Sequence, residues 1–153
     1  SYKTDGHITE EDIVQAIPKT LQDNIFDLTQ LILAKKIDQA RDLVRDLTLQ
    51  GEDEIKLIAI MLGQFRLYTQ VKILQESGQT ESQMVSSLGH YLGRNPNPYQ
   101  IKFALRDTRG LSLNFLQDSI RYLIQADYQI KTGVYEKGYL FEKALLQIAS
   151  QSN

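Results

Sequence analysis

The chain contains no cysteine and no tryptophan, and its 153 residues include only 3 prolines, 9 glycines and 2 histidines. Without cysteine there is no disulfide framework, no thiolate zinc site and no cysteine nucleophile, and His7 and His90 supply too few imidazoles for most metal centres. An excess of either charge is also missing: 17 basic against 19 acidic residues give a net charge of -2. The whole chain is therefore neither a strongly basic nucleic-acid binder nor an acidic solvating tail. No apolar run approaches the roughly 18 residues that cross a bilayer. The opening carries Lys3, Asp5 and His7 where a signal peptide would have an apolar core. These absences predict a soluble, cytoplasmic protein without a membrane partner. The chain begins with Ser, and SYKTDGH has no fold signal, which suggests a domain belonging to a longer protein.

Scarce glycine and proline, no Asn-Gly or Asp-Gly hairpin and no long period-two alternation leave little room for strands. Helix starts recur instead. Thr9 precedes Glu10, Glu11 and Asp12; Asp23 and Ser112 are further capping candidates; Thr80 with Gln83 forms a capping box; Pro98 suits a first turn. Stops follow at Gly51, Gly78, Gly110 and Gly133. The spacing predicts helices near 9–17, 23–34, 37–50, 53–77, 81–92, 97–109, 113–132 and 136–150. The expected fold is all-α, a compact bundle of about six to eight helices. Residues 1–22 would be a linker or the tail of a preceding domain, and 23–153 the helical domain.

Two helices differ in character. From Ile37, the residues Ala40, Leu43, Val44 and Leu47 share one stripe opposite Asp38, Arg41, Asp42, Arg45 and Asp46, the pattern of a surface helix. The helix carrying Ile55, Leu57, Ile58, Ile60, Met61, Leu62, Phe65 and Leu67 is apolar nearly all round, as a central helix would be. Residues 1–54 hold 6 basic and 12 acidic groups, and 55–153 hold 11 and 7, so the halves differ in sign.

Few groups invite chemistry. There is no G-x-S-x-G elbow, phosphate-binding glycine loop or dinucleotide fingerprint, and no catalytic, cofactor-binding or metal-binding residue can be assigned. Glu52, Asp53 and Glu54 suit a helix first turn, where carboxylates satisfy free N–H groups. His90 sits where an imidazole bonds final carbonyls. The segment 81–109 imitates a helix-turn-helix whose second helix shows Tyr99, Lys102, Arg106 and Arg109. Its GRNPNP connection has two prolines in place of a short glycine turn, and the four side chains do not read as one tight face. Two charges fall on apolar rows. Asp127 lies within the row Leu116, Ile120, Leu123 and Ile130, and Arg66 aligns with Ile55, Ala59, Leu62 and Ile73. They are candidates for an interhelical pair, with Lys131, four residues after Asp127, as the competing partner.

Several segments in order resemble one family: NIFDL (24–28), LQGEDEIKLIAIMLGQFRL (49–67), QESGQTESQM (75–84), NPNPYQIKFAL (95–105) and ADYQIKTG (126–133). Together they are similar to the delta subunit of the bacterial DNA polymerase III clamp loader, from about residue 8 to the end. The resemblance implies that 23–150 form the C-terminal collar domain, a non-catalytic assembly domain. Its implied partners are the ATP-hydrolysing subunits and the delta-prime subunit, joined in a pentamer above primed DNA; the sliding clamp is bound by an N-terminal region that is missing here. The family pattern falls on Asn24, Phe26, Asp27, Phe65, Arg66, Asp127, Lys131 and Gly133, without separating partner contacts from fold contacts. Phe26 and Phe65 are expected in the core and Gly133 as a left-handed cap. The competing reading, from the residues alone, is a helical DNA-binding module using Tyr99, Lys102, Arg106 and Arg109.

Overall fold

In the computed structural model, which describes residues 17–152, seven helices make up the regular structure among the described residues. They are α1 (Lys19–Leu33), α2 (Ile37–Leu49), α3 (Glu54–Glu76), α4 (Glu81–Leu92), α5 (Pro98–Thr108), α6 (Leu113–Lys131) and α7 (Lys137–Ala149). The helix predicted near 9–17 and its Thr9 cap lie outside the described residues.

Local chemistry accounts for most boundaries. Thr80 Oγ1 accepts from Gln83 N while Thr80 N donates to Gln83 Oε1, completing the predicted box. Ser112 Oγ accepts from Phe115 N, and Pro98 fills the first turn behind an Asn97 cap. Gly51, Gly78, Gly110 and Gly133 all take positive φ, where a Cβ would be strained. The start of α1 departs from expectation. It begins at Lys19 after Pro18, and Asp23 is an interior residue paired with Lys19 at 3.1 Å. Pro18 presets φ for helix entry without any side-chain cap, so the capping preference of Asp23 has nothing to act on. Ile17 and Leu21 are already part of the core.

Helix α3 is the hub. It packs against α1, α4, α5, α6 and α7, most extensively against α6. Leu57, Ile58, Met61, Phe65 and Val71 are fully enclosed. This helix is long and apolar enough to cross a membrane by length and composition, which corrects the expectation that nothing approaches that length. Its most apolar stretch is 56% buried inside the bundle, so its apolar surface already faces neighbouring helices. The predicted surface helix α2 keeps Ala40 and Leu47 buried and its charges outside.

Asp53 caps α3 by accepting from Ile55 N at 2.8 Å and receives Lys137 Nζ at 2.9 Å from the start of α7. That bond, then the Ile55 N–H, hold the Asp53 carboxyl below the usual carboxylate range, and the same pairing raises Lys137. A carboxyl whose folded value is lowered stabilises fully above its unfolded titration and loses the contribution as pH falls through the folded one. Asp53→Ala is therefore expected to lower stability by about 1 kcal/mol at neutral pH, mostly as a lost cap because the ion pair is half exposed. Urea unfolding at neutral and acid pH checks this, the gap between variant and parent narrowing below the carboxylate range.

Candidate functional site

Among the described residues no group of three or more His, Asp or Glu side chains could hold a metal ion. A depression of about 500 Å³, open to solvent, lies between α2, α6 and α7 over Arg41, Tyr122, Tyr139 and Glu142. Arg41 and Glu142 form an ion pair there, and Lys143 is the other charged side chain in the lining. His90 is exposed in the last turn of α4.

Three polar side chains missed by sequence reasoning tie α1, α3 and α5 together. Asp107 Oδ2 accepts from Gln30 Nε2 at 2.7 Å and from the Tyr68 hydroxyl at 3.0 Å, while Oδ1 accepts from Arg106 Nε at 3.0 Å. The Asp107 side chain is only 2% exposed. Burial first, and then the Asp107 charge, push the Tyr68 hydroxyl above its ordinary value, so it remains a donor. The signal for this network was Tyr68 itself: a tyrosine on a mainly apolar helix needs a partner for its O–H. Asp107 gave none, because beside Arg106 it reads as a surface charge.

The expected site residues fall on two surfaces and the space between. On α1, Asn24 is half-buried, Asp27 exposed, and Phe26 is half-buried and not in the enclosed core as expected. Its ring meets Phe103 of α5 at 6.0 Å between centroids, so the aromatic reaches across to a neighbouring helix at the surface. Phe65 is fully buried and Gly133 adopts φ 69°, both as expected. Asp127 is paired within α6 by Lys131 Nζ at 2.8 Å. Arg66 is exposed, which corrects its assignment to a buried row. The row it was assigned to is buried at Ala59 and Leu62 and leaves the core further along, since Ile73 is exposed as Arg66 is.

Tyr99, Lys102, Arg106 and Arg109 are all exposed. At 100° per residue they fall within one arc of about 80° opposite buried Ile101, Ala104 and Thr108. The expectation that they lack a common face is therefore corrected. Arg106 also stacks over Phe103 at 4.9 Å from the ring centroid.

A second set of exposed apolar side chains lies along α6, in the turn after it and at the start of α7. Ile124, Tyr128 (65% exposed), Val134, Tyr135 (63%) and Tyr139 remain open to solvent. The Tyr135 and Tyr139 rings meet edge to face at 4.9 Å. Periodicity marks which residues leave the core, and says nothing of what those exposed side chains meet.

A family model described as the C-terminal domain of the DNA polymerase III delta subunit matches residues 22–148. The DNA polymerase III subunit delta of Bacillus subtilis (strain 168) is 32% identical over 145 residues, covering 95% of this chain and 40% of that protein. The solved structure of the Bacillus subtilis DNA clamp loader delta protein matches with a TM-score of 0.75 at 32% identity, over 95% of this chain and 41% of its own. The chain thus spans about two fifths of the length of these relatives.

Proposed function

Because the chain belongs to the family formed by the C-terminal domains of DNA polymerase III delta subunits, we propose that it is the collar that holds a delta subunit in a pentameric clamp loader. The collar begins by Ile17, since Ile17 and Leu21 share its core. Its role is non-catalytic. Its partners are the collar regions of the ATP-hydrolysing and delta-prime subunits, in a cytoplasmic complex at the replisome. Contact with the sliding clamp falls to the part of the longer relatives that this chain does not span.

The observation that carries the assembly role is the exposed apolar surface of Ile124, Tyr128, Val134, Tyr135 and Tyr139. Clustered exposed aromatics on a bundle with a closed core mark a contact surface, and tyrosines contribute heavily when such a surface is buried. Light scattering after size-exclusion chromatography, on this domain mixed with the partner collar regions, should show a stoichiometric complex. Tyr128→Ser with Tyr135→Ser should abolish it while leaving helicity unchanged. A folded domain that forms no complex would count against the role.

A further inference from the structure

The outward face of α5 has a composition that assembly does not explain. Between Gly93 and Arg109 stand four cations, Arg94, Lys102, Arg106 and Arg109, and a single acid, Asp107. That acid is turned inward to Tyr68 and Gln30 and accepts from Arg106 Nε, so it presents almost no negative surface, while the Arg106 side chain stays 57% exposed. Lys102 and Arg109 are exposed and make no ion pair among the described residues. Interleaved with these cations are two rings one helical turn apart, Tyr99 at 66% and Phe103 at 40% exposure. Phe103 is held between Phe26 and the Arg106 guanidinium, which fixes the ring and its cation relative to the backbone. On adjacent α1, Lys19 neutralises Asp23, which leaves Asp27 as the acid there without a cation at its side.

We propose that this face of α5 binds single-stranded DNA, with Lys102, Arg106 and Arg109 on phosphates and Tyr99 as a platform for a base. The cations alone would suit any polyanion. Exposed rings between them favour a single strand, whose bases offer π-faces that a duplex conceals by stacking. An acidic protein segment would use the cations and leave Tyr99 without a matching flat partner. The inference stands on the charge and ring geometry of α5 and does not depend on the assembly role.

Fluorescence anisotropy of the 153-residue chain against a labelled oligothymidylate of about 20 nucleotides tests it. Three phosphate contacts to a single strand imply a log–log salt slope near −2, so affinity should fall by about tenfold to twentyfold from about 50 to about 200 mM salt. Lys102→Glu with Arg109→Glu should weaken binding by at least about tenfold with an unchanged far-ultraviolet circular dichroism spectrum. Tyr99→Ala should weaken it severalfold. Arg45→Glu on α2, a charge reversal elsewhere on the surface, should leave it within about twofold. Binding unaltered by the α5 reversal, an equal loss from Arg45→Glu, a matched duplex bound as tightly, or no binding at low salt would each overturn the proposal. A domain that joins the loader but ignores the oligonucleotide removes only this inference. One that binds the oligonucleotide but joins no complex removes only the assembly role.

Discussion

Truncating Phe65 to Ala should lower the free energy of unfolding by about 3–5 kcal/mol, a large part of the stability of a domain this size. The ring is completely buried on α3, the helix that touches five others, and it stands edge to face against Tyr68 at 5.7 Å. Removing it loses the transfer free energy of an aromatic side chain and opens a cavity whose walls belong to several helices. No one helix can move in to fill that space without losing contacts elsewhere, so little relaxation offsets the loss. Phe26→Ala provides the contrast, because Phe26 is half-buried at the surface and its site can fill with water. Urea unfolding of both variants should show a much larger shift for Phe65→Ala. Equal shifts would mean that α3 is not the enclosed hub described.

The second large effect is expected at Asp107. Its replacement by Ala should cost about 3 kcal/mol, because it leaves the buried Tyr68 hydroxyl without its acceptor and the half-buried Gln30 amide with only the Tyr68 oxygen, instead of only deleting their bonds. Asp107→Asn keeps an acceptor and should cost less. Tyr68→Phe removes one donor and leaves the carboxylate with Gln30 and Arg106, so it too should be milder. Combining Tyr68→Phe with Asp107→Ala should be non-additive by about 1–2 kcal/mol in denaturant titrations. Strict additivity would show that the two residues do not act as a unit.

The resemblance drawn from NIFDL, the α3 segment and ADYQIKTG agrees with the family match over residues 22–148. Its order along the chain mattered more than any one piece, since each piece is short and most of the apolar residues in them serve the core. Asp127 shows where periodicity runs out. It falls on an apolar row, yet its own helix supplies Lys131 one turn later, and a partner within the helix requires no tertiary coincidence.

The elements and their ends were written locally. Thr80 with Gln83, Ser112, Pro98 and glycines at positive φ act within a few residues of themselves, and a capping bond has the same geometry in a helix wherever that helix packs. The hub was legible for a similar reason: a helix apolar on every side has no stable place except among neighbours. Tertiary structure alone decided which side chains with the same periodicity face water and which face another helix. It sent Arg66 outward and Asp107 inward, and brought Phe26 to Phe103. A helical stripe records a direction around one axis, whereas burial depends on what stands in that direction, and that is set by the placement of helices remote in sequence.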